Sequence, residues 1–341
     1  MTFLRHQLHI LVAEILYYSG FLAVWRFLRT HLMGVDQICV LCLHRVVSDS
    51  EFAQSNALPG MMMKEDTFVR LLEFVKSRFR VVSIDDLKHA AITPRCVFTF
   101  DDGWKDNYTN AFPCMREKGI PATIFLVTGF IGGHTGFWVE RVVAGCKHPG
   151  VRQKLQASFS NRSSNGACVH AGSNGASAGL EDLIDRFKRM PASERVQLLE
   201  RVLPANGHNP TDQMMTWDDV SEMSGAGIAF GAHTVTHPLL PFEDEDTAER
   251  EIRESKLALE QKLQQPVRAF AYPNGDWDAS TRERVKEAGF EWAFTTQHGW
   301  YRYSRDPYTV PRVLLHEGNV TGRDGKFSPA MFTLTTVISG Q

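Results

Sequence analysis

The 341-residue sequence has few cysteines, no block of Lys or Arg, and no clean apolar run long enough to span a bilayer. Six cysteines, at positions 39, 42, 96, 114, 146 and 168, are sparse for a disulfide scaffold of this length, so reduced thiols in a reducing compartment are expected. Cys39 and Cys42 form a C-x-x-C within ICVLCL, but no second cysteine pair completes a zinc site, which makes them core thiols. The charges nearly cancel, 37 basic against 39 acidic, and the missing basic face argues against nucleic-acid binding. LHILVAEILYYSGFLAVW approaches the ~20 residues of a membrane span, yet His9, Glu14, Ser19 and Gly20 interrupt it. HLMGVDQ carries no A-x-A pattern, so no cleaved export signal is expected, and the location follows as cytoplasmic, with the inner face of the membrane within reach.

Apolar residues make up 43% of the chain, enough for one large single-core domain or two small ones. Residues 1–35 place Arg5, Arg26, Arg29 and His31 around Leu, Ile, Tyr, Phe and Trp, the pattern of one or two amphipathic helices. Such a segment either covers the domain or rests on a membrane surface.

From residue 38 short β-rich runs alternate with helical patterns, the rhythm of βα units around a parallel sheet or barrel. The strand candidates are 38–43, 80–84, 96–100, 122–127, 227–232, 267–271, 292–296 and 309–315. About eight strands with intervening helices fit a β/α barrel better than an open sheet. Residues 158–179, SFSNRSSNGACVHAGSNGASAG, lack apolar periodicity and read as a flexible insertion. The reading is therefore an N-terminal helical segment (1–35), a barrel (36–325) and a C-terminal tail (326–341).

Polar clusters fall just past the expected strand ends, where barrel enzymes keep reactive groups. Asp101 and Asp102 follow CVFTF, His233 and His237 follow GIAFGA, YPNGDW follows VRAFA, and His316 follows TVPRVLL. His-x-x-x-His brings two imidazoles within reach of one cation, and a carboxylate such as Asp102 completes a three-ligand site with one open position. Two adjacent acids raise each other's pKa unless a cation compensates, so a metal on one leaves the other free as a base. Gly103 then lets the chain turn sharply away.

TFDDG at 99–103, HTVTHP at 233–238 and FAYPNG at 270–275 resemble, in order, the successive motifs of the polysaccharide deacetylase family (NodB homology, carbohydrate esterase 4). The likeness runs from LCLHRVV near residue 41 to PRVLLHEG near 318 and is greatest to the bacterial exopolysaccharide-type members. It implies a distorted (β/α)7 barrel and metal-dependent removal of acetyl groups from an N-acetylated polysaccharide or lipid-linked glycan, most simply with Zn2+. Carried over by position, Asp102, His233 and His237 match the metal triad and Asp101 the base, with a metal-activated water as nucleophile. A backbone N–H near Tyr272 and the metal would stabilise the oxyanion, and His316, in LLH, matches the acid. The family's base-orienting arginine is Ala271 here, and Arg312 or Arg268 are the substitutes, Arg268 reading as a surface residue. His44 is expected at the pocket, and Tyr272, Trp104 and Trp277 as a stacking surface for sugar rings. Trp138 and Trp217 read as structural. Deformylation of a sugar, hydrolysis of another small amide, or glycan binding without turnover are the alternatives.

Overall fold

The computed structural model describes residues 2–24, 37–55, 57–90, 93–133, 137–160, 179–203 and 214–337. Seven parallel strands close into a barrel: β1 (Gln37–Leu43), β2 (Arg95–Phe100), β3 (Ala122–Leu126), β4 (Ala229–Ala232), β5 (Ala269–Ala271), β6 (Trp292–His298) and β7 (Val310–Leu314). Each pairs with the next, and β1 closes the ring by pairing with both β2 (Ile38 opposite Arg95) and β7 (Leu41 opposite Val313). The eighth strand expected from sequence, at 80–84, is only Arg80–Val81, added outside the ring on β2. Its short run continues at once into a single-turn helix, Ile84–Lys88, which cannot extend a ladder.

Strand alternation decides what faces the barrel axis. Ile38, Val40, Val97, Phe125, Ala269, Ala271, Phe294 and Val310 form one buried cluster. Their in-between neighbours Cys39, Leu41, Cys96, Phe98, Ile124, Phe270 and Val313 belong to the larger core under the outer helices. The same two-residue period carries Val97, Thr99 and Asp101 inward in sequence, and likewise Val310 and Arg312.

Around the barrel lie the helices Glu65–Arg78, Phe112–Lys118, Trp217–Gly225, Glu245–Leu263 and Ala279–Glu287. Between β3 and β4, helices Trp138–Cys146, Pro149–Ser160, Leu180–Lys188 and Ala192–Val202 build a small core of their own around Val142, Leu155, Phe187 and Leu199. Of the insertion expected at 158–179, residues 158–160 end a helix, Gly179 caps the next, and 161–178 lie outside the described residues. The C-terminal tail expected at 326–341 contains a buried helix, Pro329–Val337. One face of the N-terminal helix Thr2–Tyr18 packs on it through Ile10 and Ala13.

Candidate metal centre and active-site cavity

A cavity of about 550 Å³ opens at the C-terminal ends of the barrel strands, lined by His44, Asp101, Asp102, His233, His237 and Leu314. Gly60, Met61, Phe137, Trp138, Glu140 and Lys188 form the opposite wall, much of it from the inserted helices.

Asp101 ends β2 and is 2% exposed. Arg312 reaches across the barrel interior and donates from Nη1 to Oδ1 and from Nη2 to Oδ2, each at 2.7 Å. Its Nε is fixed by donation to the Thr295 carbonyl at 2.9 Å. Arg312, one of the two expected substitutes for the absent arginine, is the cation paired with Asp101. Arg268 stays at the surface with Asp85 and Glu291. Burial raises the Asp101 pKa, but Arg312 and then His233 outweigh it and hold the carboxyl well below the usual range. Oδ1 keeps a second lone pair beyond the guanidinium bond, while Oδ2 also accepts from the Cys42 thiol at 3.6 Å.

Asp102 turns away in left-handed backbone at φ 81°, followed by Gly103 at φ 87°. A Cβ on Gly103 would lie 2.8 Å from Leu126 Cδ2, so both the turn and the packing require glycine. A non-glycine residue held at positive φ stores strain that the surrounding structure must offset, a common feature of functional sites. Trp104 Nε1 donates to Asp102 Oδ2 at 2.9 Å, leaving Oδ1 facing the histidines.

His233 Nε2 and His237 Nε2 each lie 3.6 Å from Asp102 Oδ1. The three donors lie within 4.8 Å of one another. Bonds of ~2.1 Å to a tetrahedral cation put ligand atoms about 3.4 Å apart, close to the 3.6 Å that separates each histidine nitrogen from Asp102 Oδ1. Two further observations agree. His233 Nδ1 donates to the Ala271 carbonyl at 2.7 Å, which fixes the tautomer and leaves Nε2 a free lone pair. Burial first, and then the charge of Asp101, push Asp102 up to about 8, a cost that a bound cation would remove.

The loop carrying the histidines is held by one buried carboxylate. Glu251, on Glu245–Leu263, accepts from the backbone N–H groups of Val235 and Thr236 at 2.7 and 2.9 Å and from Thr236 Oγ1 at 2.7 Å. Thr234 and His237 are both left-handed, at φ 66° and 59°. The sequence flagged the two histidines but not Glu251, whose only signal is its place in a helix far along the chain.

Other expectations are corrected. His316 Nδ1 accepts from Gly318 N–H and caps the short helix Glu317–Val320. His44 lines the cavity, is buried, and has an unpartnered Nδ1. Burial, reinforced by Arg312 against the opposing pull of Asp101, lowers it to about 4. Tyr272 offers no stacking face, being wholly buried with its hydroxyl donating to the Tyr308 carbonyl. Nor is its N–H free for an oxyanion, since it donates to Phe294 O at 3.0 Å; Asn274, two residues on, borders the cavity instead. The Trp104 ring is covered by the Arg45 guanidinium at 4.4 Å and Phe137 at 4.8 Å. Trp277 lines an adjoining hollow of about 410 Å³ that shares Lys188, Leu239 and Asn274 with the cavity. Trp138, read as structural, borders the cavity as well.

Cys42, read as a core thiol, is buried with its sulfur 3.6 Å from Asp101 Oδ2. Cys42, His44 and Asp101 also cluster, but the Arg312 cation already on Asp101 opposes a second metal there.

A model of the polysaccharide deacetylase family matches residues 89–293. YxkH of Bacillus subtilis, which carries a polysaccharide deacetylase name, is 20% identical over 238 residues, 70% of this chain. The match spans 57% of that relative's length. Two solved structures share the fold. The Streptococcus pyogenes deacetylase PplD, in complex with acetate, superposes with a TM-score of 0.54 at 18% identity, covering 86% of this chain and 99% of its own. IcaB from Ammonifex degensii gives 0.52 at 20% identity, covering 82% and 92%.

Proposed function

The chain belongs to the polysaccharide deacetylase family, and on that premise we propose that it is a metal-dependent hydrolase that removes N-acetyl groups from a saccharide. One arrangement supports this above the rest: a carboxylate gripped by Arg312 stands beside an Asp102–His233–His237 donor set in a single cavity.

Asp102, His233 and His237 would hold the cation, with Zn2+ suited to a donor set of two imidazoles and one carboxylate. A divalent cation there supplies Lewis acidity, making water easier to deprotonate and the amide carbonyl more electrophilic. Asp101 is the base. Arg312 keeps it ionised and fixes both oxygens, so the remaining lone pairs point where geometry, not rotation, dictates. Having taken a proton, Asp101 is a strong acid in this environment and returns it readily to the leaving amine. His44, uncharged at neutral pH, contributes a hydrogen bond at the cavity wall. Trp138 and Trp277 provide apolar surface for the sugar chain.

The test is acetate release from N-acetylated oligosaccharides by the metal-loaded protein. The reading expects turnover that a chelator abolishes and re-added metal restores. No acetate from a broad panel of such glycans would sink it.

A further inference from the structure

The N-terminal helix Thr2–Tyr18 is apolar on both sides, but only one side is covered. Ile10, Ala13 and Leu22 are buried against Ala330, Met331, Leu334 and Val337 of the C-terminal helix. On the other side Leu8, Leu11, Val12, Ile15 and Tyr18 are 40–76% exposed, on one stripe at helical spacing, and Phe21 and Val24 are exposed just beyond the break at Gly20. These are seven of the eleven exposed large apolar side chains among the described residues. Water is a poor solvent for such a patch, and its concentration in one place marks an interaction surface.

Arg5 is exposed at the start of the patch, and no carboxylate is exposed between residues 5 and 24. Glu14, the one acid there, is half-buried and faces Arg323 Nε at 3.6 Å. The 17-residue helix is ~25 Å long, and no described helix is long and apolar enough to cross a membrane. A second copy of the chain is the weaker occupant, because seven exposed apolar side chains fall short of the ~20–30 residues a side of a stable interface.

A chain of packed helices links the N-terminal helix to the cavity wall. The helix under the N-terminal one, Pro329–Val337, packs on Glu317–Val320, which follows the C-terminal end of β7 and packs in turn on Pro59–Met61 at the cavity wall.

We propose that the outward face of Thr2–Tyr18, continued by Phe21 and Val24, docks on an anionic lipid bilayer, with the helix lying in the interfacial plane and the cavity rim beside it. Arg5 supplies attraction to anionic headgroups and the apolar side chains enter the acyl boundary. Docking would present the cavity to membrane-held glycans; that consequence rests on the deacetylase reading, while the docking itself does not.

The experiment is co-sedimentation of the full-length protein with phosphatidylcholine vesicles, with and without phosphatidylglycerol, alongside light scattering in solution. The wild type should pellet with the anionic vesicles as a monomer. Leu11→Glu combined with Ile15→Glu, both at exposed positions, should cut the bound fraction about tenfold with thermal unfolding unchanged. Arg5→Glu should remove the preference for phosphatidylglycerol. Wild-type protein that stays in the supernatant with both vesicle types overturns the proposal. So does a solution dimer that the double variant makes monomeric. Neither readout involves deacetylation, so a failure here is distinguishable from a failure of the catalytic reading.

Discussion

Arg312 holds both oxygens of Asp101 at 2.7 Å from a position 211 residues further along the chain, on a strand that is not a neighbour of β2 in the ring. The fork is buried, with the Arg312 side chain fully enclosed. β5 has only alanines, Ala269 and Ala271, facing the axis, and the barrel interior is filled instead by Phe125, Phe294 and the Arg312 guanidinium, which lies 5.7 Å from the Phe125 ring centre.

Arg312→Ala leaves a buried unpaired carboxylate and is expected to cost ~3–5 kcal/mol of stability. Arg312→Lys keeps the charge but not the planar fork, so it should fold and lose ~100-fold in kcat through misplacement of Asp101. Thermal unfolding and acetate release check the two halves. The pair also gives an acid signature. The Asp101 pKa is depressed on folding, so its contribution is present above the unfolded carboxyl value and is lost as pH falls toward the folded one. The stability gap between wild type and Arg312→Ala should therefore narrow progressively as pH falls below about 4.

His44 and His316 separate cleanly. His44→Ala is expected to lower kcat by at least ~100-fold if its cavity hydrogen bond acts in the transition state. His316→Ala should leave kcat within about twofold, because its ring serves a helix cap, and should cost ~1 kcal/mol of stability. Steady-state kinetics on both variants decides it.

Much of this was legible in sequence because strand alternation and motif order carry it. Val97, Thr99 and Asp101 alternate visibly, and the HTVTHP spacing brings two histidines to one point. What was not legible depends on closure. His316 looked like a site residue because it follows a strand, yet its Nδ1 is taken up by a helix cap. Tyr272 looked like a sugar platform, yet its hydroxyl is used inside the core. Glu251 and Trp138 are invisible in sequence, since one acts through backbone N–H groups and the other arrives on an inserted helix.

Cation binding should release protons. Asp102 stands near 8 without a cation, so at lower pH a proton must leave for the metal to bind. Apparent affinity is expected to rise with pH up to about 8 and then level off. Calorimetry at pH 6.5 and 9 in buffers of different ionisation heat reads the proton directly, and equal proton release at both would contradict the assignment.

Tyr272→Phe removes one buried hydroxyl bond and should cost ~1 kcal/mol with KM for the glycan unchanged. Trp138→Ala, at the cavity wall, should raise KM. The reverse pattern would restore Tyr272 as a sugar contact.

The most direct measurement is acetate release by Asp101→Asn with its metal content determined in the same sample. Asparagine keeps the shape, removes the base, and leaves Asp102, His233 and His237 in place. The account predicts full metal occupancy with turnover reduced by ~1,000-fold or more. Turnover within tenfold of wild type at the same metal content would contradict it.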